Sequence, residues 1–117
     1  MADGKKNTTE VTEATETSNP ALVVKLSKEY DFEGEKVTEI DFSGLEDATA
    51  RTMMRAYKIV TRMGENNGEA VIESTLPYII AIAEECTKYP AVFYERLSMR
   101  DAIKVKVLVL NFFNGVV

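Results

Sequence analysis

The rhythm of apolar and polar positions changes near residue 45. Ala21-Leu22-Val23-Val24-Lys25-Leu26 is dense enough in apolar residues for a first strand. Ser27-Lys28-Glu29-Tyr30-Asp31-Phe32 extends it, with Tyr30 and Phe32 on one face. Glu33-Gly34-Glu35-Lys36 reads as a turn, because Gly34 accepts a positive φ. Val37, Glu39 and Asp41 then alternate with Thr38, Ile40 and Phe42, the period of two of a second strand with one apolar face. Ser43-Gly44 ends this strand, since glycine tolerates backbone angles that other residues resist. The strands make an antiparallel hairpin, which is marginal alone and must lay its apolar face on the rest of the chain.

Beyond the hairpin the period lengthens to that of helices. The first helix is expected from about Glu46 to Met63, with Glu46 and Asp47 at its positive end. Met53, Tyr57 and Val60 recur at i, i+4 and i+7, and Met54 widens this stripe; Arg51, Arg55, Lys58 and Arg62 fall on the other side. Gly64 is the stop, and Glu65-Asn66-Asn67-Gly68 is a loop by composition. A second helix is expected from about Glu69 to Tyr89. Ile72, Leu76, Ile79, Ala83 and Cys86 share a face, and Ile80 and Ile82 widen it until more than one side must be buried. Pro77 kinks this helix or restarts it after Thr75, and Lys88-Tyr89-Pro90 ends it.

Ala91–Arg96 is a short helical turn presenting Phe93 and Tyr94. Ser98-Met99-Arg100-Asp101 has the form of a capping box and opens a last helix, Met99 to Phe113. Its Ile103, Val107 and Leu110 lie on one face, and Val105, Leu108, Val109 and Phe112 on another. The β-branched content of Val105–Val109 keeps a strand as the alternative; the cap and the length favour helix. The expected fold is therefore α+β: an N-terminal β-hairpin followed by a small bundle of three to four α-helices. Residues 1–20 are polar and read as a disordered arm, either a docking arm or a solubilising tail. Residues 21–117 read as a single domain.

Composition narrows the function. The net charge of −5 argues against sequence-independent nucleic-acid binding, which needs a basic face, and it fits a soluble cytosolic protein. The first twenty residues lack the apolar core of a secretory signal. The longest apolar runs, around Leu76–Ala83 and Val105–Phe113, are too short to span a bilayer and are interrupted by Pro77, Lys106 and Asn111, so no membrane segment is expected. Cys86 is the only cysteine and there is no histidine, so a disulfide, the commonest general base and the commonest metal ligand are all missing. Glu84 and Glu85 are adjacent on a helix and diverge. Asp31, Glu33, Glu35, Glu39 and Asp41 lack the spacing of a Ca²⁺ loop, and Gly64–Gly68 lacks the Lys and Ser/Thr of a phosphate loop. No catalytic, cofactor or metal site is expected. The basic side of the first helix is either a solvated face or a docking stripe for acidic protein segments.

Two stretches carry a resemblance. One is Lys36-Val37-Thr38-Glu39-Ile40-Asp41-Phe42-Ser43-Gly44-Leu45, followed by a helix. The other is Tyr94-Glu95-Arg96-Leu97-Ser98-Met99-Arg100-Asp101-Ala102, leading into an apolar helix that ends Asn111-Phe112-Phe113. In this order they resemble the tail assembly chaperones of long-tailed bacteriophages, with their hydrophobic-x-hydrophobic-D-F-S-x-L entry and late L-x-x-x-D-A step. The likeness covers residues 22–113; Pro77 and the Thr/Glu-rich leader lie outside the pattern.

The resemblance implies a non-enzymatic holdase. It would coat the tape measure protein in the host bacterial cytoplasm until the tail tube polymerises, and it would be absent from the mature virion. It also implies a frameshift-extended form that recruits the tail tube protein. A holdase needs adaptable apolar surface, which methionine supplies. Met53, Met54, Met63 and Met99, with Tyr57, are the candidate lining of a client channel; ordinary core packing is the other reading of these methionines. Phe112 and Phe113, with Val116 and Val117, make an apolar chain end that suits docking, homo-oligomer formation or folding back onto the core. Two other functions fit the same residues: a structural tail subunit retained in the virion, and a small acidic regulator that binds a host protein.

Overall fold

The computed structural model describes residues 19–62 and 72–117. The expected polar arm up to residue 18, Met63, the Gly64 stop, the loop after it and the first residues of the expected second helix lie outside the described residues; the last two residues of the arm are ordered, Asn19 capping a 3₁₀ turn at Pro20–Leu22. The fold is α+β. Strands β1 (Val23–Phe32) and β2 (Glu35–Asp41) form a two-stranded antiparallel hairpin, and four helices follow it. They are α1 (Ala50–Arg62), α2 (Leu76–Cys86), α3 (Ala91–Glu95) and α4 (Met99–Phe113).

The hairpin turn is the pair Glu33-Gly34, with φ of 51° and 81°. Two successive positive φ values give the tight turn whose twist matches that of the strands. Beyond it Phe32 pairs with Glu35 and Tyr30 with Val37; at the open end Val24 pairs with Ile40 and Lys25 with Glu39. Between these stretches residues 26–29 of β1 lie opposite residue 38 alone. This bulge resets the phase, so Val37 and Ile40, three residues apart, are both buried. The uninterrupted alternation expected of β2 is thus broken once.

The expected first helix begins later than Glu46. Ser43–Asp47 is a 3₁₀ turn that buries Leu45, Ala48 is extended, and α1 follows. Gly44 is needed here for a reason other than backbone angle. Its φ is not in the left-handed region. A Cβ on Gly44 would collide with the carbonyl oxygen of Cys86 and sit 3.2 Å from the carbonyl carbon. Only glycine lets the strand-to-helix turn lie against the end of α2. That helix restarts at Leu76 after Thr75, with Pro77 in the first turn, where its missing N–H has no intrahelical partner to lose. It ends at Cys86, earlier than Tyr89, because Thr87 turns extended while its Oγ1 donates to the Ala83 carbonyl at 2.7 Å.

The helix α4 has the expected limits, and the strand alternative for Val105–Val109 is excluded. Ser98 caps it, its Oγ accepting from Asp101 N at 3.2 Å. The reciprocal half of the capping box does not form. Ser98 N donates to the Tyr30 hydroxyl at 3.0 Å, and the fully buried Asp101 carboxylate turns to β1. There it accepts from Ser27 N at 2.9 Å, Ser27 Oγ at 3.0 Å and Tyr30 Oη at 2.6 Å. The bulge of β1 supplies Ser27 for this contact. Lys104 Nζ closes the same edge by donating to the Lys25 carbonyl at 3.0 Å.

One core joins hairpin and helices through Leu22, Ile40, Phe42, Ala56, Tyr78, Ile79, Val105 and Val109. Phe93 stacks on Tyr89 at 4.4 Å and meets Phe32 edge-on at 5.3 Å, which fastens α3 beneath the hairpin. No helix among the described residues is long and apolar enough to cross a membrane.

Candidate partner-binding face

The helix α1 is rotated relative to the face expected from its large apolar residues. Its buried positions are Thr52, Ala56 and Val60, a stripe at i, i+4 and i+8. Small side chains at Thr52 and Ala56 let α1 lie close to α2. Met53, Tyr57 and Met54 are consequently turned outward, 41%, 45% and 63% exposed. This corrects the reading of these residues as core.

Three of the expected partner-binding residues thus share one surface. Met53, Met54 and Tyr57 line an open cleft of about 400 Å³ with Lys58, Thr61, Glu73 and Tyr78. Burial and the nearby Glu73 charge push the Tyr78 pKa up, so its hydroxyl stays neutral. A second cleft, of about 240 Å³, runs from Met53 to Phe112 and Phe113 past Leu45 and Ile82. Phe112 and Phe113 are half-buried and pack on the core, the Phe113 ring lying 6.4 Å from that of Tyr78. They fold back onto the body and also floor the cleft. Met53 stands between the two clefts and makes them one apolar surface.

Met99 does not belong to it. It is 84% exposed at the start of α4, about 20 Å along that helix from Phe112 by the rise per residue. Met63 lies outside the described residues.

Two apolar surfaces escaped the periodicity argument. Ile59, Leu76, Pro77 and Ile80 line a cleft of about 230 Å³. Val23, Ile103, Val107 and Val117 line a groove of about 500 Å³ between β1 and α4. Of the two apolar faces expected of α4, the one with Val105, Leu108 and Val109 is buried, while Ile103 and Val107 are exposed and Leu110 is half-buried. The exposed face would have been legible from its Lys104 and Lys106 neighbours, which a fully buried helix cannot carry.

The polar signals resolve into surface pairs. Glu85 makes a bidentate pair with Arg55, both contacts 2.7 Å, while Glu84 faces the Ile59 cleft. Arg55 holds the exposed Glu85 carboxyl below its ordinary pKa. Asp31 pairs with Lys36, Glu39 with Lys25 and Glu35 with Lys88, so the acidic hairpin is a solvated, charge-paired face. Among the described residues no three acidic or sulfur groups gather as a metal would require. Cys86 is half-buried beside a polar cleft of about 470 Å³ lined by Glu39, Asp41 and Lys88. Burial, then the Glu85 charge, raises the thiol pKa, the reverse of what activates a nucleophile.

No protein-family model, curated protein or solved structure matches the chain.

Proposed function

We propose that this protein is a holdase of the bacteriophage tail assembly chaperone type. It binds the tape measure protein and keeps it soluble until the tail tube polymerises. The observation that carries the reading is the joined apolar surface of Met53, Met54 and Tyr57 with the Phe112–Phe113 cleft. Unbranched methionines adapt to successive client segments without a fixed pocket shape. A helical client laid along α1 places its own apolar stripe against this surface.

Magnitudes set how such a face works. Full burial of one large apolar side chain yields roughly 1.5–3 kcal/mol, and about half of each is still available on Met53, Met54 and Tyr57. The resulting gain of about 3 kcal/mol, with a comparable gain from the client's own apolar stripe, only just reaches the ~4–15 kcal/mol that association costs. One copy therefore holds its client weakly. Many copies along one long client raise the lifetime of the coat and leave each copy easy to displace. This is the behaviour wanted of a factor that acts in the host bacterial cytoplasm and leaves before the virion is complete. A frameshift-extended form that brings in the tail tube protein belongs to the same proposal.

Co-expression with the tape measure protein of the same genome tests it. Wild-type chain is expected to move the client into the soluble fraction and to be missing from purified virions by mass spectrometry. Met53→Gln/Met54→Gln/Tyr57→Gln keeps helix-forming residues on this face; because about half of each side chain is already buried, it is expected to cost roughly 1–3 kcal/mol and, checked by circular dichroism, to stay folded at the temperature of the assay. It is expected to leave the client insoluble. A client equally soluble with this variant, or never solubilised by wild type, sinks the reading.

A further inference from the structure

The outward side of α1 carries more than apolar side chains. A chain of net charge −5 places four positive charges and no negative one in the 13 residues of this helix. At about 100° per residue, Met53, Tyr57 and Met54 occupy one arc of α1 and Lys58, Arg51 and Arg62 the next, so these basic residues border the apolar stripe at Met54 and do not lie opposite it as expected. Arg55 lies beyond them and is held by Glu85. Arg51, Lys58 and Arg62 are exposed and make no ion pair among the described residues. The apolar arc is thus bordered on one side by a row of three cations, unpaired among the described residues and spaced i, i+7 and i+11.

We propose that the segments recognised by this face are amphipathic helices whose polar flank is acidic. This rests on the client-binding reading above and specifies which client segments are taken. A helix lying along α1 with its apolar stripe over Met53, Met54 and Tyr57 brings one flank alongside Arg51, Lys58 and Arg62. Their spacing covers about three turns, so Glu or Asp recurring at intervals of four and seven residues on that flank meets all three cations. The opposite sign meets uncompensated repulsion, which makes the row a selector as well as a contact.

The full chain and two designed helical peptides test this. The peptides share one leucine stripe and differ only in a Glu or a Lys flank. The Glu-flanked peptide is expected to bind, and to bind several-fold more weakly as salt rises from about 50 to about 500 mM, where surface charges are screened. Arg51→Glu/Lys58→Glu/Arg62→Glu is expected to weaken it about tenfold or more and to favour the Lys-flanked peptide. The salt series on the wild-type chain stands whatever the variant does. Equal binding of both peptides, independent of salt, or no binding of either, overturns the inference. If co-expressed tape measure protein is nonetheless solubilised, the client-binding reading survives that result; if it is not, both fall. A concentration-dependent dimer that Lys58→Glu dissolves would put a second copy on the row and also overturn the proposal.

Discussion

Asp101 offers the sharpest test of how the hairpin is fixed to the helices. Its carboxylate is fully buried, yet it accepts three hydrogen bonds from β1, from Ser27 N, Ser27 Oγ and Tyr30 Oη. Asp101→Asn keeps the size and one acceptor oxygen, and turns an NH₂ toward the two hydroxyls. Hydrogen bonds to a charged group contribute about 1.5–3 kcal/mol each, and bonds sharing one acceptor do not add fully, so a loss of about 2–4 kcal/mol is expected. For a domain of this size that lowers Tm by roughly 10–20 °C. Tyr30→Phe removes the shortest of the three bonds and leaves Ser98 N without its acceptor, for about 1.5–3 kcal/mol.

The pH dependence has a definite sign. Burial opposes the charge on Asp101, but the bonds from Tyr30 and Ser27 and the nearby Lys104 outweigh it and hold the pKa below the ordinary value. A carboxyl lowered on folding contributes stability above its unfolded pKa of about 3.9 and loses it as pH falls through the folded value. Urea titrations of wild type, Asp101→Asn, Tyr30→Phe and the double variant, from neutral pH to about pH 3, measure all of this. The expected pattern is a large single loss at pH 7, a coupling above ~1 kcal/mol in the cycle, and a shallower acid slope without Asp101. An Asp101→Asn variant within ~0.5 kcal/mol of wild type, with its acid slope unchanged, would refute the clamp.

Two further outcomes are expected. Gly44→Ala forces a Cβ into the Cys86 carbonyl, a backbone atom that cannot swing aside, and should cost about 1–3 kcal/mol by urea denaturation; the approach of the turn to α2 was misjudged if the cost is negligible. Phe112→Ala with Phe113→Ala removes rings that pack on the core and floor the Met53 cleft, so Tm should drop by several degrees and client solubilisation should fall with it; solubilisation lost at an unchanged Tm would assign the rings to the client alone.

The elements most legible in the sequence were those set by local chemistry. Glu33-Gly34 gave the turn, Pro77 the restart of α2, and Ser98 the start of α4, because each acts on its own backbone within a few residues. What was illegible depends on the approach of distant segments. Gly44 looked like a strand breaker, and only the Cys86 carbonyl across the fold explains it. Asp101 looked like a capping-box partner, and only a bulge in β1 brings Ser27 to it. The candidate face was half legible: Met53, Met54 and Tyr57 stood out, but their association with the Phe112–Phe113 cleft depends on where α1 and α4 meet α2.

The misread face of α1 and the proposed function have one physical cause. Periodicity weights large apolar residues, so Met53 and Tyr57 drew the expected core toward themselves. Burial rewards fit as well as size, and Thr52 and Ala56 allow an interhelical approach that methionine and tyrosine would block. Seating the small residues inward leaves the large ones outward beside Arg51, Lys58 and Arg62. A helix selected only for stability would exchange Met54, 63% exposed, for a polar residue with no loss to the core. A flexible apolar side chain there, next to cations unpaired among the described residues, suits the proposal that a second helix with an acidic flank completes this surface.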